Sequence, residues 1–560
     1  PTHSNRAAAL LQLGRFEAAA EAARRAAELA PAFPDAWNNL GSALVKLRSN
    51  AAALEAYDRA LALKPVWADA HNNRGVVLDV LRRHGEAAAA YAQARAIEPQ
   101  YRGVQSAQVF ALRKACIWPK PGDAADPIAA MQAEFLDMPR QGRMIAPFVL
   151  LAVSQDPALH LEAARLYTKL KYPTAPRPLC AGNEAYGHAR VRVAYLSADF
   201  HSHATAYLMA ELFELHDREA FEWWGISFGP PAPNDPMRRR LEHAFDHFIE
   251  VGDRTDAQAA QLLRELEIDI AVDLKGYTQD CRPGILAHQP APLQVNYLGF
   301  PGTLGADHFQ YIVADPVVIP PGHEAFYTEK VVRLPDSYQC NDRQRAIAER
   351  TPPRAELGLP EHGFVFCCFN NNYKITPDVF SLWMDLLRQV QGSVLWLLES
   401  NGEAAGNLRR EAQLRGIDAD RLVFAPHAPL PEHLARLRHA DLFLDTLPYN
   451  AHTTTSDALW AGVPVLTCIG RAFPGRVAAS LLISCGLPDM VMPDAASYAA
   501  AALRFAREPQ ALAEVRERLA RNRLTAPLFD TARLRRNLEA AYLEMQRRQR
   551  AGLPPAGFSV

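Results

Sequence analysis

From Tyr449 to Thr467 the chain reads YNAHTTTSDALWAGVPVLT, directly after the apolar run LFLDTLP. His452, three threonines and Asp457 therefore fall where a buried strand would hand over to a helix. The first N–H groups of a helix have no intrahelical partner and sit at the positive end of its dipole. With the hydroxyls of Thr453 and Thr454 they would seat a phosphate without a glycine-rich loop. Asp457, one turn further on, suits ribose hydroxyls rather than phosphate. The same residues also fit plain capping, with Thr453 as N-cap and Asp457 in a capping-box-like role. This stretch alone leaves both readings open.

Other apolar runs end in comparable loops. FNNNYK (369–374) follows FVFCC and offers Lys374 as a point charge for phosphate. In PHAPLPEHLARL, His433 and Arg436 stand three residues apart and so share one helix face. YLGFPGTLG (297–305) is a Gly/Pro/Thr loop after another apolar run. Convergence of these groups on one diphosphate-bearing ligand is the simplest common reading.

The elements that must position them follow two patterns. Pro31, Pro65 and Pro99 recur every 34 residues, as do Gly41 and Gly75, Tyr57 and Tyr91, and Leu13, Leu47 and Leu81. That period predicts tetratricopeptide helix pairs stacked into a superhelix over 1–105. Asn5, Asn39 and Asn73 share one phase, so stacking would align them. They read either as inter-repeat hydrogen bonding or as a ladder that grips acceptor polypeptide backbone. A helical connector and Pro-rich linker are expected over 106–185. From Val191 strands alternate with helices, break near Asp342–Pro360, and alternate again. This predicts two doubly wound parallel-sheet domains, 186–345 and 346–525, then a C-terminal helix and tail over 526–560. Ligands in such sheets bind beyond the carboxyl ends of the strands.

The balance of 60 Lys+Arg against 62 Asp+Glu gives no basic footprint for nucleic acid. Arg238–Arg240, near Glu242, reads as solvated helix surface. Eight scattered cysteines without CxxC spacing fit a reducing, cytoplasmic setting. No apolar run reaches the ~18 residues of a membrane span, so no membrane partner is expected. Asp418-Ala419-Asp420 reads as a turn rather than a metal motif, and His201 beside His203 lacks further ligands at metal spacing.

DFHSHATAYLM, LGFPGTLGA, FNNNYK, HAPLPEH, LDTLPYNAHTTTSDALWAGVPVLT and RVAASLL, in this order, resemble the O-linked N-acetylglucosamine transferase family. The resemblance covers nearly the whole chain. It implies a GT-B fold and an inverting, metal-independent transferase with no cofactor. It also implies a UDP-sugar donor, above all UDP-N-acetylglucosamine, and Ser/Thr acceptors on proteins. By the same resemblance His203 is the active-site histidine and Lys374 holds the diphosphate. Ala428 reads uracil through its backbone, and His433 and Arg436 contact base and ribose. His452, Thr453 and Thr454 seat phosphate and sugar, Asp457 meets ribose, and Leu298, Gly299, Pro301 and Thr303 line the sugar pocket.

This sequence departs from the animal enzymes at three of these sites: Asn371 replaces a glutamine, Leu430 a lysine packed on the base, and Tyr449 a cysteine beside the sugar. Plant SPINDLY-type enzymes share the architecture but use GDP-fucose, and a non-catalytic repeat scaffold is the remaining alternative. His203 is the natural base, since imidazole titrates near neutral pH. The donor's own phosphate could instead take the proton. Asp273 is a weaker candidate, read chiefly as a strand-end cap.

Overall fold

The 34-residue period is built from matched sizes at one helix crossing. In the computed structural model, which describes all residues except 121, 122, 124, 176 and 181–183, α1 (Thr2–Gln12) to α6 (His84–Ile97) form three helix pairs. The helices between them are α2 (Phe16–Leu29), α3 (Pro34–Lys46), α4 (Asn50–Leu63) and α5 (Ala68–Val80). A Cβ on Gly41 would lie 2.7 Å from the Tyr57 ring, and one on Gly75 would lie 2.6 Å from the Tyr91 ring. Each large ring thus requires a glycine on the paired helix. One period earlier the same two positions are Ala7 and Ala23, both fully buried. The turn within each pair uses left-handed backbone at Gly14, Arg48 and Arg82, again one period apart.

The asparagine column lies on α1, α3 and α5. The Asn39 amide donates to Ser4 O (3.1 Å) and Ser4 Oγ (3.0 Å), and the Asn73 amide to Asn38 Oδ1 (3.4 Å). Asn5 is exposed. Two of the three amides therefore bond the preceding repeat. Asn39→Ala should lower unfolding stability by about 1–2 kcal/mol, the worth of a part-buried bond whose acceptor is left behind. An unchanged urea midpoint would show that the bond contributes nothing.

One compact unit contains residues 1–138, 371–373 and 399–411; the other contains 139–370, 374–398 and 412–560. The expected connector, 106–185, thus contributes helices to both: Val104–Lys114 (α7) and Pro127–Asp137 to the first, Pro157–Lys171 to the second. Residues 121, 122, 124, 176 and 181–183, all in that connector and linker, lie outside the described residues.

The second unit holds two all-parallel sheets. The first contains β1 (Val191–Ser197), β2 (Phe221–Ser227), β3 (His247–Glu250), β4 (Ile270–Asp273), β5 (Leu293–Asn296), β6 (Tyr311–Ala314) and β7 (Lys330–Arg333). The second contains β8 (Val365–Cys368), β9 (Val394–Leu398), β10 (Leu422–Ala425), β11 (Leu442–Leu444), β12 (Val465–Cys468) and β13 (Val491–Met492). A terminal β14 (Phe558–Ser559) joins the first sheet beside β7. The spatial orders are β14-β7-β6-β5-β4-β1-β2-β3 and β10-β9-β8-β11-β12-β13. Each sheet therefore reverses direction at one point, β1/β4 in the first and β8/β11 in the second. Such switch points open a crevice at the strands' carboxyl ends.

The chain ends by returning to the first sheet. In the helix Thr531–Arg550, Glu539 bonds His216 (2.9 Å) and Tyr542 bonds Tyr195 (3.2 Å). The charge-run reading of Arg238–Arg240 is corrected. Arg239 is exposed, but Arg238 is buried, bonded to Ser227 (2.9 Å), Glu242 (2.7 Å) and Glu250. Arg240 pairs with Glu214 and Asp342. Partners brought in by the fold neutralise these charges, and a local reading cannot see them.

Candidate functional site

The loops leaving β8 and β11 meet at the second switch point. After β8 the chain turns through 369–374, and the buried Lys374 ammonium donates to Asn450 O at 2.8 Å. The same ammonium lies 4.2 Å from the Tyr449 ring centroid. Burial pulls Lys374 down to about 8, with Asp445 opposing. Asp445, at the end of β11, accepts from the Ala451 and Thr446 amides (2.6 and 2.7 Å) and from Thr467 Oγ1 (2.6 Å), so it shapes the loop 445–451. Burial raises its pKa, and Lys374 is among the groups that lower it. Asn370 ties the two loops together. It donates to Thr446 Oγ1 (2.8 Å) and accepts from Thr454 Oγ1 (2.5 Å).

The helix Thr453–Ala461 starts at this point with His452 as its N-cap residue, so Thr453 is its first helical residue and not its cap. His452 is held by a bond from Nε2 to Pro474 O (3.1 Å), and burial drives its pKa well below the ordinary value, keeping it neutral. Tyr449 is fixed between His452 (4.9 Å between ring centroids) and Phe148 (6.1 Å). Asp457 is no capping partner either. Its carboxylate pairs with Arg345 at 2.7 Å, and both are almost fully buried. Burial pushes Asp457 up to about 6, with Arg345 opposing.

Beyond β10, Ala428 lies two residues before the helix Leu430–Leu437. His433 and Arg436 do share a face: Arg436 Nη2 lies 3.0 Å from His433 Nδ1 and its Nη1 donates to Pro426 O (2.6 Å). Both pack on Phe369, the His433 ring at 5.0 Å and the Arg436 guanidinium at 5.3 Å. Burial and the neighbouring Arg436 push His433 down to about 3, so it is neutral at physiological pH. Asn371 is exposed and belongs to the first compact unit. Asp418 caps the turn Ala419–Arg421 by accepting from Asp420 N, as the turn reading expects.

The first sheet places a second cluster at its own switch point. His203, just past β1, is the N-cap of the helix Ala204–Leu215, its Nδ1 accepting from Thr205 N at 3.3 Å. Asp199 Oδ2 lies 3.4 Å from the same nitrogen, and the His203 side chain remains 41% exposed. Burial lowers its pKa, with Asp199 opposing. Past β4, Lys275 donates to both Asp199 oxygens (2.9 and 2.8 Å) in a buried pair. Asp273 accepts from the Lys275 and Gly276 amides (2.8 and 3.2 Å), which is the capping role expected of it. Next, 298–303 forms a stapled loop. Leu298 is left-handed, and a Cβ on Gly299 would come within 1.9 Å of Leu274 O. Pro301 is buried in the loop. Thr303 donates to the buried Glu329 (2.6 Å), and Asn296 donates to Gly302 O (3.0 Å).

Sequence reasoning missed Asp199, Lys275, Glu329, Arg345, Asn370 and Asp445. Asp199, Lys275 and Asp445 follow the rule that singled out Asp273, a charged residue at the carboxyl end of a buried strand. Arg345 and Glu329 carried no local signal.

A family model for glycosyl transferase family 41 matches residues 174–352 and 350–538, and a tetratricopeptide repeat model matches 5–67 and 43–102. The chain belongs to glycosyl transferase family 41. Among curated family 41 relatives it is 35% identical over 432 residues to an Arabidopsis thaliana protein named probable UDP-N-acetylglucosamine–peptide N-acetylglucosaminyltransferase SEC, covering 74% of this chain and 44% of that one. A rice (Oryza sativa subsp. japonica) protein of the same enzyme name, SPINDLY, is 30% identical, covering 70% and 41%. The chain thus spans less than half the length of these relatives. A solved structure of a Thermobaculum terrenum O-GlcNAc transferase mutant aligns over 98% of both chains at 28% identity with a TM-score of 0.74.

Proposed function

We propose that this family 41 chain transfers N-acetylglucosamine from UDP-N-acetylglucosamine to Ser/Thr hydroxyls of proteins, with inversion and without a metal ion. The observation that carries the reading is the buried Lys374 ammonium beside the N-terminus of the helix Thr453–Ala461, at the switch point of the second sheet. The acceptor hydroxyl attacks the anomeric carbon as the bond to the β-phosphate oxygen breaks, and the electron pair leaves on the diphosphate. Lys374 and the helix N–H groups stabilise that charge as it develops. Ala428, His433 and Arg436 would face the base and ribose, Asp457 the ribose, and 298–303 the sugar. The hydroxyl proton goes to His203 Nε2 when Nδ1–H is turned to Asp199; otherwise it leaves on the phosphate. Acceptor polypeptides would run along the Asn5, Asn39 and Asn73 column. The Asn39 and Asn73 side-chain oxygens make no hydrogen bond among the described residues. The absence of a disulfide among the described cysteines agrees with a cytoplasmic setting.

Calorimetry with UDP in the presence and absence of EDTA is the first test. UDP should bind equally in both, and GDP more weakly. Loss of UDP binding in EDTA would overturn the metal-free reading, and preference for GDP would favour the fucose-transferring alternative.

A pH dependence follows from Lys374. Its protonated form attracts diphosphate, and in the unliganded protein that form gives way above about 8. UDP affinity should therefore fall as pH rises from 7 to 9, with a proton taken up on binding. Titrations in buffers of different ionisation enthalpy read that uptake; a flat affinity across the range would remove Lys374 from the phosphate seat.

A further inference from the structure

The three residues before Lys374 are held by the repeat unit. In α7, Arg113 donates through Nε to Tyr373 O at 2.9 Å. Just past its end, Cys116 Sγ lies 3.7 Å from Asn372 O, and the Phe110 ring stands 5.1 Å from the Tyr373 ring. The end of α7 is itself fixed. A helix leaves its last carbonyls without intrahelical partners, and here Asn401 donates to Lys114 O (3.1 Å) and Asn407 to Ala115 O (2.7 Å). Glu403 accepts from Gly85 N (2.9 Å), tying the same segment to the start of α6. Residues 371–373 and 399–411 thus belong to one compact unit with the repeats. They follow β8 and β9, strands of the nucleotide-side sheet.

Arg113 is buried, yet Nε is the one guanidinium nitrogen with a hydrogen-bond partner among the described residues, and Nη2 is enclosed without one. A buried charge so sparsely bonded is poor value for stability alone, because an apolar side chain of similar volume is often neutral or better. Its bond falls on the carbonyl that joins Tyr373 to Lys374.

We infer that Arg113 is a positioning residue for the diphosphate-binding lysine: by fixing the Tyr373 carbonyl from α7, it makes the repeat unit part of the donor site. The inference rests on the donor-site reading above. It implies that changes in α7 reach UDP affinity and donor turnover without touching acceptor recognition.

The test uses the full chain with UDP as the probe. Arg113→Met keeps the volume and removes the donor. It should fold, weaken UDP binding about tenfold and lower kcat/KM for acceptor-free hydrolysis of the sugar nucleotide by a similar factor. KM for a peptide acceptor should stay within twofold. Arg113→Lys, which retains a donor, should recover part of the loss. Because coupling is reciprocal, saturating UDP should also slow amide hydrogen exchange in Val104–Lys114 of the wild-type protein. That measurement decides the matter if Arg113→Met does not fold. Folded Arg113→Met with UDP affinity within twofold of wild type, or α7 exchange unmoved by UDP, would overturn the inference. Wild-type protein that binds no UDP would instead overturn the functional reading.

Discussion

Lys374→Ala is expected to lower turnover about 100- to 1000-fold while the protein stays folded. The lysine ammonium meets the leaving diphosphate, whose charge grows as the sugar bond breaks. Removing one preorganised charge-stabilising donor raises a barrier by roughly 2.7–4 kcal/mol. Folding does not depend on that charge. Burial holds the Lys374 pKa below its ordinary value, so the folded state binds this proton less tightly than the unfolded chain does. The ammonium therefore costs stability at neutral pH, a cost that lessens as pH rises through about 8. Steady-state kinetics with a peptide acceptor, alongside thermal unfolding at pH 7, would check both halves. Wild-type turnover in a folded variant would show that the leaving group is stabilised elsewhere.

The second large effect is on stability. Asp457→Ala should destabilise the second unit by about 3–5 kcal/mol, since it strands a buried charge. Arg345 is about 1% exposed at its side chain, and a guanidinium remains protonated at any pH the fold survives. Its remaining bonds, to Asp342 O (3.0 Å) and Asn341 Oδ1 (3.2 Å), are to neutral oxygens. Arg345→Met with Asp457→Ala should restore most of the loss, because the pair is replaced rather than broken. Denaturant unfolding of the two single variants and the double variant measures this. If Asp457→Ala unfolds at the wild-type midpoint, the pair contributes nothing, and Asp457 is left with its proposed ribose contact alone.

Much of this was written in local sequence. The 34-residue period follows from a ring facing a glycine, which fixes residue types at a constant spacing, so Gly41, Tyr57, Gly75 and Tyr91 announce their own contacts. The long buried strands of both sheets were legible because parallel strands covered on both faces need continuous apolar runs. β3, β13 and β14 were not, being short and lacking such runs. The loop residues Lys374, His433, Arg436 and Thr454 stood out because each follows an apolar run, and a strand's end is where side chains become available for chemistry. Tertiary structure alone decided which charges are paired and where. Arg345 is 112 residues from Asp457, and Arg113 is 260 from Tyr373. Arg238 looked solvated until Glu250 was brought beside it. Hydrophobic periodicity is set by neighbours along one element, whereas the partner of a buried charge is set by strand order, which no single segment encodes.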